Sequence, residues 1–205
     1  MKNKIIKDAL ALTLITLVAG VALGGVYEIT KDPIAKQEAQ AKAEAYEQVF
    51  TDAAAFEEVE MDDTLLQTIR DQLDQEGYKA QSIEEVMRAE DQSGETLGYA
   101  FTVVTSEGYG GDIQFSMGVQ NDGTLNGISI LSIGETAGLG MNADTPAFKD
   151  QFVGKQVEKL QYTKNGATQD DEINAISGAT VTTNAMTNGV NAGLCAFRVM
   201  EGGDQ

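Results

Sequence analysis

Ser177, Gly178, Ala179 and Thr180 close the run Asn174-Ala-Ile-Ser-Gly-Ala-Thr180 and lead into Val181-Thr182-Thr183 and a long apolar-periodic stretch. Small residues at such a loop-to-helix junction let backbone N–H groups approach a ligand closely. The helix expected to start here would add unpaired donors and a partial positive charge, which suits a phosphate. The same residues also make a plain helix N-cap, so the motif by itself leaves an anion site and a structural cap both open. Two further blocks of small residues lie upstream: Gly134-Glu135-Thr136-Ala137-Gly138-Leu139-Gly140, after an expected hairpin, and Gly108-Tyr109-Gly110-Gly111, followed by Asp112-Ile113.

The inventory of reactive side chains excludes more than it suggests. The chain has no histidine, no tryptophan and one cysteine, Cys195. Iron–sulfur clusters need several thiolates, and haem or catalytic zinc normally needs histidine, so this chain alone cannot build them. No metal site and no nucleophile–base pair is readable, so no catalytic residue is assigned. A prosthetic group linked through histidine is excluded, and one linked through cysteine could use only Cys195. Attachment through a hydroxyl is the covalent route that the composition leaves open. Cys195 falls in an apolar helical stretch and reads as a small buried hydrophobe.

Taken together, the three blocks resemble the FMN-binding domain family. Ser177 to Thr180 resembles its flavinylation signature, in which FMN is joined by its phosphate to the last threonine of Ser/Thr-Gly-Ala-Thr. On that resemblance Thr180 is the attachment residue and covalent FMN the cofactor. Gly134 to Gly140 resembles the family's Glu-Thr-Pro-Gly-Leu-Gly loop, and Gly108 to Gly111 its glycine-rich turn before the central strands. The matching stretch runs from about residue 95 to 197. The whole chain is similar to the G subunits of Rnf electron-transport complexes, themselves related to the C subunits of sodium-pumping NADH:quinone reductases. The resemblance implies an electron relay inside an assembly coupling ferredoxin–NAD electron transfer to ion pumping. Its partners would be the other integral-membrane and redox subunits, and a flavin transferase would mature it. Three positions depart from the family pattern: Asn174 stands where an aspartate usually begins the motif, Ala137 replaces a proline, and Gly134 stands where a histidine is often found.

The resemblance also suggests roles around the flavin. Gly178 and Ala179 allow close backbone approach, and Ser177, Thr182 and Thr183 are candidate donors to phosphate or ribityl oxygens. The loop of Glu135, Thr136, Gly138, Leu139 and Gly140 would pass the isoalloxazine, with Leu139 packed on the ring. Tyr109 and Met141 are further candidate neighbours, although core packing is the commoner use of both.

The elements that must hold these blocks are legible from pattern. Ala9 to Tyr27 is an unbroken uncharged run of 19 residues, close to a bilayer core in length at about 1.5 Å per residue. It exceeds the apolar region of a cleaved signal peptide, so a retained transmembrane helix is expected. Lys2, Lys4 and Lys7 before it favour a cytoplasmic N-terminus and an extracytoplasmic domain. Gly20 and Gly24 could face a partner helix. The expected organisation is a cytoplasmic segment (1–8), a transmembrane helix (9–27), a helical stalk (28–60) whose helix starts at Asp32-Pro33 and runs to Phe50, and an FMN-binding domain (61–205). Within the domain a helix starts at Asp62 or Asp63, with Leu65, Leu66, Ile69 and Leu73 at helical spacing, and stops at Gly77. Strands are expected from Ile83, over Thr96 to Ser106, Ile113 to Gln120 and Leu125 to Ile133, the last two turned by Asn121-Asp122-Gly123. A short helix capped by Asp144 follows, then a strand from Val157 to Tyr162, and a terminal helix to about Met200 that buries Val190, Leu194 and Phe197. The fold class is α+β: an antiparallel sheet with flanking helices behind a single membrane helix.

The net charge of −18 makes nucleic acid an unlikely partner on electrostatic grounds, since phosphates would be repelled. Three function classes stay open on sequence: a membrane-anchored flavin electron carrier in an ion-translocating complex, a flavin relay in another extracytoplasmic pathway such as a quinone-linked reductase, and a non-redox anchored binding module.

Overall fold

The computed structural model describes residues 2–202. The chain divides into two units, Met1–Ala41 and Lys42–Gln205. The first is helix throughout its described length. It belongs to α1 (Lys2–Val49), whose apolar part is long enough to cross a membrane and is exposed along its length. The expected helix start at Asp32-Pro33 is not there: Pro33 lies inside α1. Proline removes one backbone donor, but the helix is already propagating before it and the Ala/Gln/Glu/Lys run after it is a strong helix former, so cooperative propagation carries the helix through.

The helix expected to run to Phe50 ends at Val49, and Ala55–Glu58, within the segment expected as stalk, forms a strand, β1. The last turns of α1 belong to the second unit. Ala45, Tyr46, Val49 and Phe50 recur at helical spacing and are buried with Ala89 and Ala100. Polar contacts fix them there: Lys42 Nζ lies 2.5 Å from Glu85 Oε2, the Tyr46 and Thr102 hydroxyls are 2.7 Å apart, and Ser129 Oγ donates to Gln48 Oε1 at 2.8 Å.

The remaining elements are α2 (Asp63–Glu76), β2 (Gln81–Glu90), β3 (Thr96–Thr105), β4 (Ile113–Gln120), β5 (Leu125–Ile133), α3 (Pro146–Lys149), β6 (Gln161–Thr163), β7 (Glu172–Asn174) and α4 (Thr180–Gly202). Strands β1 to β5 form an antiparallel meander in sequence order. α2 is bounded as its sequence predicts. Asp62 Oδ1 accepts the Leu65 N–H at 2.7 Å, and Gly77 ends the helix with φ 90°.

α4 covers the face of the meander that carries Val86, Phe101, Val103, Phe115 and Met117, and α2 packs against α4, adding Ile69 and Leu73 to the same core. Contact with α4 is close because its sequence allows it. A Cβ at Gly193 would stand 2.1 Å from Met117 Sδ, so the bare glycine lets the helix lie on β4. Val190, Leu194 and Phe197 are buried in this layer as expected, and Cys195 is a free buried thiol.

Two further expectations are corrected. The strand placed at Val157 to Tyr162 is confined to Gln161–Thr163, which pairs in parallel with β7 in a small second sheet. The cause lies on α4: the buried Asn191 amide takes the Leu160 backbone, with Leu160 N–H to Oδ1 at 2.7 Å and Nδ2 to Leu160 O at 2.9 Å. Asp144 does not cap α3. That position is Thr145, and Asp144 pairs instead with Lys149 at 2.8 Å.

Candidate functional site

Thr180 is the first residue of α4. The residues before it form a turn closed by the Ala179 N–H on Ile176 O at 3.0 Å. Gly178 takes φ 75° there, in the left-handed region that strains any residue with a side chain. Thr183 caps the turn from within. Its buried hydroxyl donates to Ala179 O at 2.9 Å and accepts the Ile176 N–H at 3.0 Å. Among the described residues, the N–H groups of Thr180, Val181 and Thr182 find no protein acceptor, so the first turn of α4 presents free donors.

These donors open beside a cavity of about 540 Å³, within the size range of small-molecule sites. Tyr109, Glu135, Thr136, Leu139 and Gly140 line it from one direction, and the run from Gly178 to Thr182 from the other. The sequence blocks separated along the chain therefore meet in one wall. Of the residues singled out from sequence, Ser177, Gly138, Thr183 and Met141 lie outside that wall. Ser177 and Gly138 are exposed, Thr183 is committed to its cap, and the Met141 N–H bonds Thr136 O. Val181, which sequence reasoning passed over, joins Tyr109 and Leu139 as exposed apolar surface of the wall.

Glu135 organises the junction. Its side chain is buried, and Oε1 accepts the Tyr109 N–H at 2.7 Å. A Cβ at Gly110 would stand 2.1 Å from Gly134 O, so the glycine-rich turn and the Glu135 loop touch backbone to backbone. The residue before that turn reaches α4: Glu107 Oε2 accepts Asn184 Nδ2 at 3.2 Å and Asn188 Nδ2 at 2.7 Å. Sequence reasoning missed this trio. The signal available was two asparagines four apart, Asn184 and Asn188, one helical turn from each other on α4.

No wall residue is basic. The positive end of the cavity is the α4 N-terminus, with no acidic residue in its first turn, and it favours an anion by about 0.3–1 kcal/mol. Asn174 lies apart from the wall, on β7, where its Oδ1 accepts the Ala167 N–H at 2.7 Å. Among the described residues no group of acidic, histidine or cysteine side chains could hold a metal ion.

Residues 108–194, which contain the whole cavity wall, match the FMN-binding domain family, and residues 1–49 match the RnfG N-terminal region. Over 196 residues the chain is 32% identical to the G subunit of the Na(+)-translocating ferredoxin:NAD(+) oxidoreductase complex of Acetobacterium woodii, spanning 95% of this chain and 92% of that protein. It is 28% identical over 202 residues to the G subunit of the proton-translocating ferredoxin:NAD(+) oxidoreductase complex of Clostridium ljungdahlii, spanning 98% of this chain and 96% of that one. A shorter likeness, 41% identity over 80 residues, covers 35% of this chain and 31% of the C subunit of the Na(+)-translocating NADH-quinone reductase of Pasteurella multocida. The fold and site thus define a flavin-binding domain behind a long apolar helix. The chain belongs to the family of G subunits of ion-translocating ferredoxin:NAD(+) oxidoreductase complexes.

Proposed function

We propose that this chain is the covalent-FMN electron-transfer subunit of a membrane complex coupling ferredoxin–NAD electron transfer to ion translocation, with the flavin joined through its phosphate to Thr180 Oγ1. The observation that carries the reading is the position of Thr180: a half-buried hydroxyl in the cavity wall, at a helix terminus with free N–H donors. The residues fit the group. A phosphodiester keeps one negative charge, which the first turn of α4 can stabilise. The Thr182 side chain, buried beside Gly140, and the Glu135 loop border the same space, and Tyr109, Leu139 and Val181 offer apolar surface to a planar ring.

Bound FMN supplies the electron-carrying chemistry. The chain's own residues bind, orient and retain it, and no self-contained active site is assigned. Attachment forms one bond, between Thr180 Oγ1 and the phosphorus of a flavin donor carrying a leaving group on that phosphoryl. The hydroxyl gives up its proton and the leaving group departs. A flavin transferase is the partner required for this step, since no base lies within the wall other than Glu135, which already holds the Tyr109 N–H.

A role in a ferredoxin:NAD complex is favoured over a quinone-reductase role by coverage: the G-subunit relatives match over nearly the full chain, the C-subunit relative over about a third. Residues 9–27 form the membrane span in this reading, with residues 1–8 cytoplasmic, a helical connection, and the FMN domain from about residue 42 on the extracytoplasmic side. The three lysines before the span support that orientation. Intact-mass and peptide mass spectrometry of the chain, made with a flavin transferase, tests the attachment.

A further inference from the structure

We infer that Glu107 is a positioning residue for the flavin site: its carboxylate holds Asn184 and Asn188 and so fixes the rotation of α4 that presents Thr180 to the cavity. The inference deepens the Thr180 reading and rests on it. Thr180, Asn184 and Asn188 stand four residues apart. At 3.6 residues per turn successive members differ by about 40° around the helix and about 6 Å along it, so the three lie along one ridge. One oxygen, Glu107 Oε2, accepts from both asparagines, at 3.2 and 2.7 Å. Bonds from two successive turns to that one oxygen hold the face carrying both asparagines toward Glu107, and a roll of α4 away from it would lengthen both.

The other end of the link is equally defined. Glu107 directly precedes Gly108-Tyr109, and the Tyr109 N–H is held by Glu135. Gly140 in turn lies against both Glu135 Oε2 and Thr182 Oγ1, all three in the cavity wall. The contacts form a closed circuit: α4, Glu107, the glycine-rich turn, Glu135, Gly140, and α4 again at Thr182. Among the described residues, the other outward side-chain bonds in the first three turns of α4 come from Thr183, and these stay within the turn that precedes the helix. The bonds made by Asn191 and Arg198 grip the far half of the helix. Among the described residues, Glu107 therefore makes the one side-chain hydrogen-bonded link between the first three turns of α4 and the sheet side of the cavity, beside the apolar packing of Ala185, Met186 and Val190.

The carboxylate acts here as an acceptor, and its two side-chain partners are neutral amides. Glutamine offers one acceptor oxygen of the same reach, so Glu107→Gln should keep both bonds while losing the charge, and Glu107→Ala should lose both. The full chain in detergent, prepared with and without flavin transferase, separates the possibilities. In the unmodified chain, NMR should show the Thr180 amide shifting in Glu107→Ala, with the Asn184 and Asn188 side-chain amides moving toward solvent-exposed values. Both should be restored in Glu107→Gln. In flavin-bearing protein, Glu107→Ala should lower the fluorescence anisotropy of the attached flavin and reduce its visible circular dichroism several-fold, again with rescue by Glu107→Gln. Asn188→Ala, which removes only the shorter bond, should give an intermediate change and serves if Glu107→Ala fails to fold. Unchanged Thr180 and flavin signals in Glu107→Ala or Asn188→Ala, even with lowered stability, would reduce Glu107 to an ordinary structural contact. A Glu107→Gln protein that behaves like Glu107→Ala would overturn the acceptor role. Absence of flavin from the wild-type chain would overturn the Thr180 reading instead, and the Thr180 amide of unmodified protein would still decide whether Glu107 sets the helix.

Discussion

Gly140 and Glu135 approach each other so closely that a Cβ on Gly140 would stand 2.6 Å from Glu135 Oε2, and 2.6 Å from Thr182 Oγ1 on the facing helix. The loop therefore closes on its own carboxylate and on α4 at one point, and that point is part of the cavity wall. Neither neighbour is free to retreat: Glu135 holds the Tyr109 N–H, and Thr182 is buried on α4. Gly140→Ala is expected to destabilise the domain by about 1–3 kcal/mol through overpacking, and to lower flavin occupancy more than its loss of stability accounts for. Urea unfolding alongside flavin quantification checks this; an unchanged midpoint with full occupancy would mean that the loop is looser than its packing indicates.

Much of this site was legible before the structure because it is built from local chemistry. Small residues before a threonine, and a glycine run after a hairpin, report backbone conformation directly, and Gly178 and Gly77 adopt the left-handed angles that only such residues take easily. What stayed hidden depends on tertiary partners. No pattern within Val157–Tyr162 reveals that Asn191 takes the Leu160 backbone and leaves only Gln161–Thr163 to pair. The proline rule failed at Pro33 because one missing donor is outweighed by long helix-forming flanks. Thr183 read as a candidate donor to phosphate or ribityl oxygens, and its hydroxyl is spent on Ala179 and Ile176.

Cys195 should be inert. Burial first, then the neighbouring Glu76 charge, push its thiol up to about 12 from the ordinary 9.0. A pKa raised on folding means that the buried thiol supports stability below about pH 9, and that this support is lost as pH rises toward about 12. Iodoacetamide at about pH 8 should label the denatured chain readily and the native chain scarcely at all. Rapid native labelling would contradict the packing of α4 against α2.

Asn174→Asp should leave the fold intact, because the Ala167 N–H bonded to Oδ1 can be accepted equally by a carboxylate. If the transferase reads an acid at this position, flavin occupancy under limiting transferase should rise in the variant. A large fall would show that the position plays a different part in recognition.

The proposed topology has its own test. Protease added to intact protoplasts should digest the domain, whereas protection until lysis would place it in the cytoplasm. Gly20 and Gly24 have no neighbour within 4 Å of a built Cβ, so leucine at both is accommodated within the chain. The double variant should retain flavin but co-purify less with integral-membrane partners if these glycines face a partner helix. Undiminished co-purification would remove that role.

The central claim, flavin on Thr180, is tested most directly by the mass of the peptide spanning Ser177 to Thr180 from chain made with a flavin transferase. The expected result is an added mass equal to FMN less water on that peptide, with fluorescence that survives denaturation, and a Thr180→Ala chain that folds normally but carries neither. Flavin that stays bound through denaturation in Thr180→Ala, or an unmodified peptide in fluorescent wild-type protein, would contradict it.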